Sequence, residues 1–349
     1  MISLQESPER RRLRRFALAA VLTNAGIVVT GGTVRITGSG LGCPTWPSCT
    51  DESFVPRADS EHAGWQMAIE YGNRLLTFVV LTAVVLLVWQ LYRTRPHPKG
   101  LMRVAWMLPI GVIGQALVGG VVVLTGLSPY TVMTHFLLSM VLLFAAVAVH
   151  EIVRRASRPD ITSATVPSAV QHLTTAIVAV AFLVLIAGTI TTGAGPHGGD
   201  ASAPRLALDI RMAALAHADM VWLLLGLTVA LVVVTWRGPR HLAVAARALL
   251  VFELLQGAIG YTQYALGVPE ALVVVHVLGA VLVWSAASAV WIRARPRLGL
   301  VSDGDEEHRS QGGQDPPDDA STSDPAAASP SRRTTHPPDD PTTEAAAPR

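Results

Sequence analysis

Eight long apolar runs constrain the fold of this chain more than any other feature of its sequence. Each run has roughly the 20 residues that a helix needs to cross about 30 Å of hydrocarbon. The chain is 50% apolar and only 15% charged, a composition that excludes a soluble globular protein. The sequence therefore predicts an all-α polytopic membrane protein with eight transmembrane helices, near residues 16–36, 64–91, 104–124, 130–150, 171–192, 212–236, 243–264 and 270–292.

The basic residues between the runs predict the orientation. Connectors on the side of the N-terminus carry eighteen Lys and Arg residues, whereas the opposite connectors carry four. Because such residues favour the cytoplasmic side, we expect a multi-pass protein of the plasma membrane with both termini in the cytoplasm. The basic residues are interleaved with apolar runs rather than gathered on one face, which excludes nucleic-acid binding.

The composition changes sharply at the C-terminal end. Residues 298–349 hold 11 Asp and Glu against 4 Lys and Arg and have few apolar side chains, so we expect a disordered cytoplasmic tail. We predict a basic cytoplasmic N-terminus at 1–15, four-helix halves at 16–153 and 171–297, and a cytoplasmic linker at 154–170.

The two halves repeat one another. Four helices per copy preserve the orientation, which predicts parallel repeats about an axis along the membrane normal. Each half is therefore expected to be a four-helix bundle, and bundle interiors are where helical proteins place cofactors. At an offset of 141 residues, Gln115, Gly119, Gly126 and His135 fall on Gln256, Gly260, Gly267 and His276.

Three histidines lie inside the runs at a shared depth. His135, His217 and His276 each stand five to seven residues from the outer end of their run, about 8 to 10 Å deep. An intramembrane histidine is costly unless it is satisfied, and two facing imidazoles can hold a haem iron. We expect His217 and His276 to do so, with hydrogen bonding between helices as the alternative. Zinc is disfavoured because only Asp219 adds a ligand type at this depth, on another helix face.

The first half changes this plan. His135 keeps its counterpart, but the position that corresponds to His217 falls near Asn73, which is a weak ligand. One half would then hold iron with two strong ligands and the other with one, which suggests an electron-transfer haem beside a reactive site. Glu70 stands three residues before Asn73 on the same helix face, where it can accept protons or stabilise charge. A structural partnership with Arg74 is the alternative for Glu70.

Further polar residues lie at the outer level. Arg35, Arg74 and Arg211 are placed to anchor carboxylates such as haem propionates, and snorkelling to the interface is an equal alternative for each. Cys43 and Cys49 bracket five residues of the first outer loop, in a compartment that permits disulfides. We expect a structural or redox-active disulfide between them.

These residues together resemble the haem A synthase family, membrane enzymes that oxidise haem O to haem A for cytochrome oxidase. The resemblance covers about residues 15–295. It rests on a signature in the first outer loop, a motif in the second span and a segment of the outer loop between spans 5 and 6, at 31–49, 70–74 and 192–200.

The resemblance implies a duplicated eight-helix fold with two porphyrin sites. Haem b, an iron cofactor, is implied on His217 and His276, and the substrate haem O is implied beside His135 and Glu70. His135 would hold the substrate iron, and Glu70 would handle protons or stabilise positive charge at the methyl carbon. Asn73 departs from the pattern, since many members of the family carry His at this position. In this substitution the chain resembles actinobacterial relatives.

The implied reaction converts one porphyrin methyl group to an alcohol and then to a gem-diol, which loses water to leave a formyl group. Haem O synthase, the cytochrome c oxidase assembly machinery and an unidentified electron acceptor are the implied partners, and a homo-oligomer stays open. The main alternative is a cytochrome b-like membrane electron carrier, which explains the paired histidines equally well. A transporter is a weaker alternative.

Overall fold

The computed structural model describes residues 7–56, 64–94, 99–156 and 166–295. In this part of the chain, eight helices are long and apolar enough to cross a membrane, which confirms the predicted all-α fold. The predicted tail at 298–349 lies outside the described residues. The helices are α1 (Pro8–Ile36), α2 (Gly64–Arg93), α3 (Lys99–Leu124), α4 (Pro129–Ala156), α5 (Ser168–Ala194), α6 (Ile210–Thr235), α7 (Arg240–Ala265) and α8 (Glu270–Arg293).

Two helices extend well beyond the apolar runs that predicted them. α1 begins at Pro8 rather than near residue 16, and α4 continues to Ala156 rather than ending near residue 150. The additional turns are rich in arginine. Arginine is among the better helix formers, so the apolar runs marked the stretch that is apolar enough to cross hydrocarbon and not the helix ends. The predicted N-terminal segment is accordingly helical from Pro8.

Each half closes into a ring of four helices. In the first half, α1 and α3 both pack against α2 and α4; in the second, α5 and α7 both pack against α6 and α8. Two clusters of buried apolar side chains follow this division, one in the first bundle and one that fills the second and the boundary between them. The helix contacts thus arrange each half as a ring of four helices.

The bundles meet through α4 and α8. α1 also contacts α8, and α5 contacts α4. The first helix of each half therefore packs against the last helix of the other half. The indole Nε1 of Trp284 on α8 donates a hydrogen bond to the Met140 carbonyl on α4 at 2.7 Å. We call the end of the bundles that holds the α1–α2, α3–α4, α5–α6 and α7–α8 connections the outer end, and the opposite end the inner end.

The turns that precede α4 and α8 share one geometry. Gly126 and Gly267 have φ values of 59° and 76°, a left-handed conformation that glycine adopts without strain. The following residue, Leu127 or Val268, donates its N–H to the carbonyl five residues earlier, at 2.9 and 2.8 Å, which is the Schellman pattern of a helix end. These turns are related by the offset of 141, so the repeat in the sequence recurs in the backbone geometry at the starts of α4 and α8.

Candidate functional site

Two histidines face each other inside the second bundle. The rings of His217 on α6 and His276 on α8 have centroids 6.5 Å apart and planes inclined by 66°. One metal ion bound to an imidazole nitrogen on each side, at about 2 Å from each, would separate the ring centroids by roughly 6 Å. The spacing of this pair therefore suits two axial ligands of one metal.

A backbone hydrogen bond orients the ring of His217. Its Nδ1 lies 3.1 Å from the Val184 carbonyl oxygen on α5. A carbonyl oxygen only accepts, so Nδ1 carries the hydrogen and Nε2 keeps its lone pair. A hydrogen bond of this kind fixes the tautomer of a metal-binding histidine, and in His217 it leaves the lone pair of Nε2 available to a metal ion.

Glycines bring helix backbones against both rings. A Cβ placed on Gly188 of α5 would lie 3.1 Å from Cε1 of His217, and a Cβ on Gly260 of α7 would lie 3.1 Å from Cε1 of His276. Both distances are shorter than ordinary van der Waals contact. Each imidazole is therefore held between its own helix and a neighbour that approaches closely only because it carries glycine there.

The first bundle repeats this arrangement around His135. A Cβ placed on Gly119 of α3 would lie 3.4 Å from Cε1 of His135. The Gln115 side chain donates to the His135 carbonyl at 3.3 Å, as Gln256 does to the His276 carbonyl at 2.8 Å. Within the described part of the chain, Nδ1 of both histidines is buried without a hydrogen-bond partner. The repeated Gln and His residues thus occupy corresponding places.

Asn73 stands where the first bundle would place the counterpart of His217. A Cβ placed on Gly31 of α1 would lie 3.8 Å from Nδ2 of Asn73, an ordinary van der Waals distance. The Thr30 hydroxyl donates to Oδ1 of Asn73 at 2.7 Å. A cleft of about 360 Å³ opens between α1 and α2 at this point, lined by residues that include Thr30, Thr33 and Asn73. The first bundle therefore has one imidazole, His135, and at the position that corresponds to His217 it has an asparagine that lines a cleft between α1 and α2.

Glu70 and Arg74 attach the first outer loop to α2. The carboxylate of Glu70 accepts a hydrogen bond from the Cys43 backbone N–H at 2.6 Å and pairs with Arg74 at 2.7 Å. Arg74 also donates to the carbonyl oxygens of Cys43 and Ser48, at 2.7 and 3.0 Å. The structural partnership considered for Glu70 is thus present, and it holds a buried carboxylate one turn from Asn73.

The first outer loop is closed by a disulfide, as predicted. Cys43 and Cys49 are joined by an S–S bond of 2.02 Å. Between them, Trp46 packs on α3, where a Cβ placed on Gly120 would lie 2.5 to 2.9 Å from three atoms of the indole ring. Gly120 directly follows Gly119, the residue against His135, so the loop reaches α3 at the level of the first-bundle site.

Sequence reasoning missed Trp46 and Gly120, although the repeat carried a signal for both. The offset of 141 pairs Gly120 with Tyr261, so only the first half has room for an indole ring at this position. Only the first half also has the cysteine-bounded loop that supplies the ring.

Replacing Gly120 by tyrosine, the residue of the second half, is expected to expel Trp46 and release the loop. The added side chain enters space that the indole ring fills, and overpacking of this kind costs about 1 to 3 kcal/mol. The measurement is the rate at which a thiol reductant opens the Cys43–Cys49 bond, which we expect to rise. Gly114→Tyr on the same helix is the matched control, since a Cβ at Gly114 meets nothing within 4 Å. Equal rates in both variants would contradict the contact.

The three arginines predicted to anchor carboxylates have different surroundings. Arg35 on α1 donates to the carbonyl oxygens of His197 and Thr192 in the second half, at 2.7 and 3.2 Å. Arg74 holds the first outer loop, and Arg211 is exposed in the first turn of α6. Arg35 therefore links the outer ends of the two halves, and a role of these arginines toward a ligand's carboxylates stays a prediction.

The donor set suits a metal that brings its own equatorial ligands. Among the described residues, no group of three or more His, Cys, Asp or Glu side chains could hold a metal ion. A porphyrin supplies four nitrogen ligands and leaves two axial positions for the protein. The facing pair of His217 and His276 would provide two such ligands, and His135 would provide one.

Comparison with known proteins gives one family match and several similar enzymes. Residues 14–288 match the profile of a family described as cytochrome oxidase assembly protein. The sequence is 30% identical over 183 residues to a heme A synthase of Lysinibacillus sphaericus. The aligned stretch covers 52% of this chain and 58% of that protein. The sequence is also 30% identical over 140 residues to a heme A synthase of Geobacillus kaustophilus, a stretch that covers 40% of this chain and 42% of that protein. A heme A synthase of Alkalihalophilus pseudofirmus is 28% identical over 138 residues, which cover 38% of this chain and 45% of that protein. The matched stretch thus spans about two fifths to three fifths of these relatives' lengths.

Proposed function

The chain belongs to the cytochrome oxidase assembly protein family, and from that premise we propose that it is a haem A synthase. In this proposal it oxidises one methyl group of haem O to a formyl group, with haem b as its resident cofactor. The observation that carries the proposal is the difference between two corresponding sites: paired imidazoles in the second bundle, and in the first a single imidazole, with Asn73 and the cleft it lines in place of the other.

The second bundle is the proposed haem b site. His217 and His276 would be the axial ligands, with Nε2 of His217 directed by its bond to Val184. A haem held between these two imidazoles would supply electron transfer. The close approach of Gly188 and Gly260 to the rings restricts their rotation, so both ligands are held before the cofactor binds.

The first bundle is the proposed substrate site. His135 would bind the iron of haem O on one side, while Asn73, whose Oδ1 accepts a bond from Thr30, supplies no strong ligand on the other. A substrate must leave after reaction, and one strong axial ligand permits exchange more readily than two. The cleft between α1 and α2 gives this site an opening that suits an exchangeable porphyrin.

Glu70 is the proposed catalytic carboxylate of the substrate site. Oxidation of a methyl carbon releases protons and develops positive charge at that carbon, and a fixed carboxylate can accept the former or stabilise the latter. The bonds from Cys43 and Arg74 hold the Glu70 carboxylate in place. Trp46, packed on α3 at the same level, would close the site at the outer end.

The proposed setting follows from this chemistry. Haem O synthase would supply the substrate, the cytochrome c oxidase assembly machinery would receive the product, and a further acceptor would take the electrons. The uneven distribution of Lys and Arg supports a plasma-membrane orientation with cytoplasmic termini. A purely electron-carrying cytochrome b accounts less well for the single imidazole and buried carboxylate of the first bundle.

Co-expression with a haem O synthase tests the activity. The expected result is haem A in the pigment extracted from membranes, since both the substrate and the proposed enzyme are then present. Chromatography of acid–acetone extracts measures the ratio of haem A to haem O. Cells that express the haem O synthase alone provide the control. Unchanged haem O beside a folded protein that retains its b-type spectrum would refute the proposed reaction.

A further inference from the structure

A second buried carboxyl group lies inside the C-terminal bundle and has no part in the proposed chemistry. Glu253 on α7 is 6% exposed. Its Oε1 accepts a hydrogen bond from the Thr228 hydroxyl on α6 at 2.8 Å. Its Oε2 is buried without a hydrogen-bond partner among the described residues. An ionisable residue inside a membrane bundle is costly, and such a residue commonly serves proton or ion transfer.

The first bundle shows that the fold does not need this polar pair. The offset of 141 places Glu253 on Val112, and the offset of 144 that relates His217 to Asn73 places Thr228 on Val84. Both valines are buried in the apolar cluster of the first bundle, with exposures of 4% and 0%. Two valines therefore fill the position that Glu253 and Thr228 fill in the second bundle.

The polar pair lies below the paired imidazoles, toward the inner end. Seven residues separate Glu253 from Gly260, the glycine against His276, which is about 10 Å along α7. Eleven residues, about three turns, separate Thr228 from His217, which puts both on one face of α6. Gln256, one turn from Glu253, donates to the His276 carbonyl, and its Oε1 is also buried without a partner in the described part of the chain. Two buried oxygens without a described partner, Oε2 of Glu253 and Oε1 of Gln256, thus lie between the polar pair and the proposed haem site.

We propose that Glu253 is a proton-binding site coupled to the haem that His217 and His276 would hold. When the iron gains one electron, the Glu253 carboxylate binds one proton from solution; when the iron loses that electron, the carboxylic acid releases the proton. The inference rests on the proposed function, which provides both the haem and the electrons. An added charge in a low-dielectric interior is costly, and a proton bound two turns of α7 below the glycine that contacts His276 offsets it.

The other ionisable groups around α7 are less suited to this role. α7 packs against α6 and α8, whose inward-facing ionisable groups near Glu253 are His217 and His276, the proposed iron ligands. Asp219 on α6, Arg247 on α7 and Glu270 on α8 are exposed. Arg293 on α8 is paired with Glu151 at 2.7 Å. Glu253 is thus the buried carboxyl group on these three helices.

The test is a redox titration of the haem in the purified full-length protein at a series of pH values. In the wild type, the midpoint potential is expected to fall as pH rises, with a slope approaching one proton per electron. In Glu253→Gln, which keeps the size and hydrogen-bonding capacity of the side chain, the slope is expected to vanish. Asp219→Asn, which removes an exposed carboxylate nearer to His217, is the matched control and is expected to keep the wild-type slope.

Infrared spectroscopy provides a second measurement that does not depend on activity. The reduced-minus-oxidised spectrum of the wild type is expected to contain a carboxylic acid C=O band that Glu253→Gln lacks and Thr228→Val shifts. Should Glu253→Gln fold poorly, the double variant Glu253→Val with Thr228→Val recreates the pair of the first bundle and is expected to lack both slope and band.

The outcomes separate this inference from the proposed function. A wild-type slope retained in the glutamine variant, or a potential independent of pH in the wild type, would overturn the role of Glu253 and leave the synthase proposal standing. A folded, haem-supplied protein without bound haem would overturn the synthase proposal first.

Discussion

His276→Ala is expected to abolish the b-type absorption spectrum of the purified protein. The substitution removes one of two facing imidazoles whose 6.5 Å separation suits a single metal ion. Loss of a group that merely orients a metal ligand weakens binding by about 10- to 100-fold, and loss of the ligand itself should cost more. The measurement is the reduced-minus-oxidised spectrum, with haem per protein determined from the pyridine haemochrome.

Two further variants distinguish ligation from a general effect on folding. His172→Ala removes an exposed histidine from the first turns of α5 and is expected to keep the full haem content. His276→Met supplies a different axial ligand and is expected to retain part of the haem with a shifted spectrum. A b-type spectrum of wild-type intensity in folded His276→Ala would show that the haem, if bound, is held elsewhere.

Glu70→Gln is expected to eliminate conversion of haem O to haem A while leaving the b-type spectrum unchanged. The amide can still accept the hydrogen bond from the Cys43 N–H, but it carries no charge and cannot act as a base. Loss of a positioned proton acceptor typically lowers a rate by about 100- to 10,000-fold. The measurement is the amount of haem A formed in cells that also express haem O synthase.

The attachment of the outer loop requires its own control, because Glu70 also pairs with Arg74. Arg74→Gln breaks this ion pair and the bonds to the loop carbonyls while leaving the carboxylate. We expect it to accelerate reduction of the Cys43–Cys49 disulfide more than Glu70→Gln does, and to lower conversion less. If Glu70→Gln converts haem O at the wild-type rate, the proton-handling role is wrong; if Arg74→Gln loses as much activity, the main function of Glu70 is to hold the loop.

The helices and the repeat could be read from the sequence because both are periodic. A helix that crosses hydrocarbon needs an uninterrupted apolar stretch, and duplicated residues recur at a fixed offset, so eight spans and two bundles were predictable. The ends of α1 and α4 were not, since turns with arginine side chains remain helical outside the apolar stretch. The shared depth of His135, His217 and His276 followed from counting residues from the start of each helix.

The parts of the site that escaped prediction depend on contacts between distant segments. The bond from the Cys43 N–H to Glu70 joins residues 27 positions apart, and the bond from Arg35 to the His197 carbonyl joins residues 162 apart. Neither spacing leaves a local pattern. The packing of Trp46 on Gly120 did leave a signal, because the offset of 141 pairs Gly120 with Tyr261. That signal is a difference between the two halves and not a match.

The α4–α8 boundary joins two bundles that belong to one chain, and this has a consequence for how such a protein can acquire new chemistry. If the bundles were separate molecules encoded by one gene, every substitution would occur in both. A substitution that weakens binding of the product in one bundle would then also weaken binding of the cofactor in the other. Fusion removes that constraint. Asn73 in the first bundle and Glu253 in place of a valine in the second are changes that two identical copies could not carry on one side alone.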